Sequence, residues 1–134
     1  MTQSNTTVQL AVVGAHLTGQ PLNHQLTDRR ARLLRTCKTA PCYRLYALAN
    51  TTPPKPGLER VESPAASIEV EVWELTYEAF GSFVANVPPP MVIGTLQLED
   101  NTTVKGFLCE PFALKTAKDI SEFAGWRAYL KSKT

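Results

Sequence analysis

At 134 residues, 43% apolar and 19% charged, with a formal charge of +2, the chain fits one soluble domain spanning 1–134 that buries about two thirds of its unfolded surface. So small a charge, scattered apart from Arg29, Arg30, Arg32 and Arg35, argues against nucleic acid as a partner. No apolar run approaches the roughly 20 residues of a membrane span, and the polar start carries no secretory signal. Cys37, Cys42 and Cys109 form no C-x-x-C pair, so the expectation is buried thiols in a cytoplasmic protein, without disulfide, metal or cofactor.

In chain order, residues 1–7 read as a frayed tail and Gln9–Val13 as a first, buried strand. A loop from Gly14 to Asn23 follows, then a short helix begun after Pro21 within the polar stretch His24–Arg32. Leu33–Lys38 and Cys42–Leu48 read as strands, the second aromatic-rich and bounded by Pro41 and Asn50. Thr51–Gly57 holds three prolines in four positions and predicts a rigid extended surface connector. Ile68–Leu75 alternates as a strand, with Glu69 and Glu71 expected on a solvated face. Thr76 caps a helix whose stripe Tyr77, Phe80, Val84 and Val87 is expected in the core, and Pro88-Pro89-Pro90 ends it. Ile93–Leu98 and Thr103–Cys109 form a hairpin about Glu99–Thr102. Asp119-Ile120-Ser121-Glu122 has the capping-box pattern of a last helix bearing Phe123, Trp126 and Leu130. The sum is α+β, with several antiparallel strands and two or three helices.

Two histidines are present, and His24 lies in a polar stretch that predicts the surface. His16 sits at the mouth of the first strand, two residues after a glycine that lets the chain turn. Successive N–H groups there can converge on an anion, with an imidazole beside them to exchange a proton near neutral pH. A plain loop histidine bonded to a carbonyl is the competing reading. The chain carries no G-x-S-x-G, P-loop or H-E-x-x-H motif. Glu110 is the best lone carboxylate, and alternation allows at most one of Tyr43 and Arg44 to face a shared pocket.

Seven stretches carry a family resemblance: Val12–Leu17 with Gly19 and Pro21–Asn23, Thr39–Leu48, Pro53–Gly57, Ile68–Trp73, Ile93–Leu96, Val104–Glu110 and Gly125–Leu130. Together they resemble the C-terminal domain of allophanate hydrolase, itself similar to the γ-glutamylcyclotransferase fold, a small mixed or antiparallel β-barrel-like sheet flanked by helices. Cyclotransferases carry a Tyr-Gly-Ser-Leu type loop after the first strand, where this chain reads Gly14-Ala15-His16-Leu17. Their acidic catalytic residue would fall near Pro88–Met91, where no acid stands.

The resemblance implies a step in urea or s-triazine nitrogen breakdown. The amidase part of allophanate hydrolase, which these residues do not contain, deaminates allophanate to N-carboxycarbamate. The C-terminal domain is assigned the decarboxylation that follows. On this reading His16 donates a proton and the amides of Gly14, Ala15, His16 and Leu17 bind a substrate carboxylate. Asn23, Glu110 and either Tyr43 or Arg44 complete the substrate contacts. The implied partners are a small carboxylated substrate and an amidase subunit. Two rivals stand beside it: an assembly module that homodimerises or docks an amidase through an apolar strip at Phe107–Phe112, and a cyclotransferase-like enzyme using Glu110 inside the pocket.

Overall fold

The computed structural model describes residues 6–134. Its elements are β1 (Thr7–Val12), α1 (His24–Thr27), β2 (Arg32–Lys38), β3 (Tyr43–Ala47), β4 (Pro56–Arg60), β5 (Glu69–Thr76), α2 (Tyr77–Ala85), β6 (Met91–Gln97), β7 (Thr103–Cys109), β8 (Lys118–Asp119) and α3 (Trp126–Ser132). Residues 1–5 of the expected tail lie outside the described residues, but Thr7 already pairs with Thr76 in the sheet. Its hydroxyl donates to Glu74 Oε2 at 3.1 Å.

Five strands form one sheet in the order β2-β5-β1-β7-β6, and three form a second, β4-β3-β8. All pairings are antiparallel except β1 with β7. The architecture is α+β, but the two sheets do not close into a barrel; side chains pack between them instead. Tyr43, wholly buried on β3, accepts a hydrogen bond at Oη from Gln97 N–H at the end of β6 (2.9 Å). Leu10, Val12, Val70, Val72, Leu45, Leu58, Leu96 and Leu98 fill the space between as one apolar cluster. A buried phenol is tolerated there because its hydroxyl has a partner.

Several expectations hold. Thr76 has extended backbone and its hydroxyl accepts from Ala79 N–H at 3.1 Å, a cap worth about 1 kcal/mol. The β6–β7 hairpin turns at Asp100 and Asn101, where Asn101 takes φ 71° and Leu98 N–H bonds Thr102 O.

Four expectations are corrected. The proline stretch is not only a connector, because Pro56 and Gly57 begin β4. That strand lies at the edge of its sheet, and proline is tolerated as the first residue of an edge strand. Glu71 does not face solvent: it is 2% exposed, since β5 is covered on both faces and Val70 to Trp73 are buried without a break. On α2 the fully buried ring is Phe83, while Tyr77 in the first turn is 56% exposed. Finally, Asp119 Oδ1 accepts from Ser121 N–H two residues on (2.9 Å) and Ser121 Oγ accepts from Leu45 N–H (2.8 Å). Those side chains hold β3 and β8 in place of a helix cap. A short 3₁₀ turn at Ser121–Phe123 follows, and α3 starts only at Trp126.

Candidate functional site

β1 delivers the chain into a tight loop, and the reason for Gly14 is close approach rather than a special dihedral. A Cβ there would lie 2.2 Å from Cδ of Pro56 and 2.4 Å from its Cγ. The proline segment before β4 is thus packed directly on the loop after β1. Gly19, at φ 87°, makes the left-handed turn farther along. Leu17 N–H bonds Gly14 O (3.0 Å), Leu22 N–H bonds Ala15 O (2.8 Å) and Asn23 Nδ2 donates to His16 O (2.8 Å). The N–H groups of Ala15 and His16 make no intramolecular hydrogen bond among the described residues.

Between this loop, the β3–β4 loop and the end of α2 lies a cavity of about 210 Å³. His16 stands in its wall, its ring stacked on Phe107 with centroids 5.0 Å apart and an interplanar angle of 14°. Phe83 meets the same ring edge-on at 5.0 Å. His16 Nε2–H donates to Gln25 Oε1 at 2.8 Å, because an amide oxygen only accepts. That bond fixes the ring and leaves Nδ1 as the nitrogen with no protein partner among the described residues. Burial holds the His16 pKa below its ordinary 6.5, partly offset by the Gln25 hydrogen bond, with Lys55 pushing it further down. The site therefore presents a neutral imidazole at pH 7, an acceptor at Nδ1. No aspartate or glutamate lines the cavity.

The expected site residues divide clearly. Gly14, Ala15 and His16 line the cavity. Leu17 and Asn23 do not; Leu17 is fully buried with its N–H used in the turn, so its amide is closed to a ligand, and Asn23 braces the His16 carbonyl. Tyr43 is sealed in the core with its hydroxyl taken by Gln97. Arg44 points outward and pairs with Asp119 at 3.5 Å, both half-exposed. Glu110 follows β7 outside the cavity lining, its N–H on Pro90 O. The strip at Phe107–Phe112 is also not exposed as a unit, since Phe107 and Cys109 are buried and only Pro111 and Phe112 at its end are exposed. His24 is exposed, as expected. Sequence reasoning missed Gln25 and Lys55. Lys55 was signalled only as the one charge within Pro53–Gly57, and Gln25 only by its place in the first turn of α1, two residues after the loop.

Burial pushes the Cys109 thiol pKa up to about 11, and burial also raises that of Cys37. Among the described residues no group of three or more His, Cys, Asp or Glu is arranged to hold a metal ion. No helix among them is long and apolar enough to cross a membrane.

A family model described as the allophanate hydrolase C-terminal domain matches residues 8–131. The chain is 44% identical over 131 residues to the urea amidolyase of Saccharomyces cerevisiae, covering 95% of this chain and 7% of that protein. It thus spans under a tenth of the length of the curated relatives it matches. Among solved structures, the allophanate hydrolase of Kluyveromyces lactis superposes with a TM-score of 0.91 at 43% identity, over 95% of this chain and 21% of that one. A uropathogenic E. coli-specific protein superposes with a TM-score of 0.87 at 29% identity, over 94% and 97% of the two chains. An AIG2-like protein from Mus musculus, 16% identical with a TM-score of 0.57 over 79% and 78% of the two chains, shares the fold.

Proposed function

This chain belongs to the allophanate hydrolase C-terminal domain family, and from that premise we propose that its cavity binds N-carboxycarbamate and assists its decarboxylation beside an amidase. One observation carries the reading: the His16 ring, in the wall of a small cavity that no acid lines, is fixed by Gln25 and Phe107 and keeps Nδ1 without a protein partner among the described residues. A dianion entering such a site stabilises the protonated imidazole by its own charge. His16 then carries the proton at Nδ1, while Nε2–H stays on Gln25. In the step itself the C–N bond to one carboxyl group breaks and its electron pair remains on nitrogen. Nitrogen takes the Nδ1 proton, CO2 leaves, and carbamate is left. The open N–H groups of Ala15 and His16 are suited to hold the departing carboxylate.

General acid assistance of this kind is worth about 10²–10⁴-fold. The test is CO2 release timed in a coupled reaction with an allophanate-deaminating amidase. Both His16→Ala and the less disruptive His16→Asn are expected to fall to the rate of the amidase alone. A release rate equal to the unsubstituted protein's in a folded variant overturns the proposal. The cyclotransferase alternative needs an acid in the cavity, and none lines it.

A further inference from the structure

We infer that Lys55 selects the ligand: its ammonium group pairs with the carboxylate of a small carbamate or amide acid whose N–H faces His16. The inference rests on the cavity being the binding site, and adds a charge that the loop after β1 does not itself supply.

Lys55 comes from a backbone that is pinned on both sides. Its own N–H donates to Thr51 Oγ1 (3.0 Å), and its carbonyl accepts from Leu48 N–H (3.1 Å). Pro54 and Pro56 flank it, and Pro56 is pressed against Gly14. The side chain therefore starts from a rigid base. It lines the same cavity, and its charge reaches the His16 ring.

Four arginines have found carboxylates: Arg32 with Glu74, Arg35 with Asp100, Arg44 with Asp119, and Arg127 with Glu69 and Glu71. Lys55 is half-buried as a residue, its ammonium has no acidic partner among the described residues, and no acid lines the cavity. An anion entering this acid-free hollow would give the Lys55 cation a counter-charge, and a charge-assisted hydrogen bond is about twice as strong as a neutral one.

The two polar functions are complementary. Lys55 donates to a carboxylate, and Nδ1 of His16, which has no protein partner among the described residues, is left to exchange a proton with the ligand's nitrogen. A ligand with an anionic carboxyl group next to an N–H satisfies both. At about 210 Å³ the cavity is smaller than drug-sized pockets, which limits the ligand to a few heavy atoms.

Malonate and its neutral counterpart malonamide are the probes, titrated into the 134-residue protein while the Ala15 and His16 amides are followed by NMR. Malonate is expected to bind, Lys55→Met to weaken it by at least about tenfold, and Lys55→Arg to retain most of the affinity. Malonamide binding is expected to be the same in both proteins. Equal malonate affinity in Lys55→Met overturns the role of Lys55 and leaves the cavity reading intact. An equal loss for malonate and malonamide overturns it too, since shape and not charge was removed. No saturable malonate shift in the unsubstituted protein removes both readings. A readout without ligand checks the placement: Lys55→Met is expected to raise the His16 titration midpoint, and an unmoved midpoint contradicts it.

Discussion

Two polar clusters hang from the same short loop, and they differ in what their hydrogen-bonding capacity is used for. On one side Thr18 turns to Glu71, whose carboxylate accepts from Thr18 N–H (2.9 Å), Thr18 Oγ1 (3.0 Å), Trp73 Nε1 (3.2 Å) and Arg127 (3.0 Å). Arg127 in turn pairs with Glu69 at 3.2 Å and donates to Thr18 O, tying α3 to the loop. On the other side, two residues earlier, His16 has one nitrogen engaged and one open, near an ammonium without a counter-ion. Glu71 is the more deeply buried group, and by burial alone the stronger functional candidate. Its partners leave it nothing to do to a ligand. Unused capacity in a cavity distinguishes the working side of the loop from the side that anchors it.

The sharpest way to break the comparison is to remove the anchor. Glu71→Ala leaves Trp73 Nε1 and the Thr18 amide without their acceptor and Arg127 with Glu69 and Thr18 O alone, and denaturant unfolding is expected to show a loss of about 3 kcal/mol. Gly14→Ala comes next. The added methyl collides with the Pro56 ring, so about 1–3 kcal/mol of stability goes. Displacement of the β3–β4 loop from the cavity should weaken malonate binding with it.

A smaller effect separates the clusters by pH. The folded His16 pKa lies below 6.5, so as pH falls from 6.5 the unfolded chain takes up a proton that the folded chain refuses. Stability therefore declines from pH 6.5 down toward the folded pKa, by at most about 1.4 kcal/mol per pH unit. His16→Phe, which keeps a ring between Phe83 and Phe107, is expected to lack that part of the slope; identical slopes would show that His16 is not buried neutral. The smallest effect is Arg44→Ala. It removes a half-exposed pair with Asp119, and is expected to change stability by less than about 1 kcal/mol and malonate affinity not at all.

Much of the fold was legible because it rests on local rules. Alternation from Ile68 to Leu75 revealed β5, the Thr76 cap and the three prolines bracketed α2, and the Asp100–Asn101 turn set the β6–β7 hairpin. The misreadings came where a side chain's partner lies far off in the chain. Glu71 reads as solvated until Arg127, 56 residues on, is brought to it. Ser121 reads as part of a capping box until Leu45 claims its hydroxyl.

The candidate site divides the same way. The residues of the chain, with the resemblance they carry, were enough to place Gly14, Ala15 and His16 at the mouth of β1 and to name the family. Only the tertiary structure decided that Gly14 is there to admit Pro56, that Gln25 sets the tautomer of His16, and that Lys55 lines the cavity while Tyr43 and Arg44 do not. The physical reason is that periodicity reports which face of an element is apolar. Which distant loop closes over a strand end, and which polar atoms remain unpaired there, depends on packing between segments some 40 residues apart.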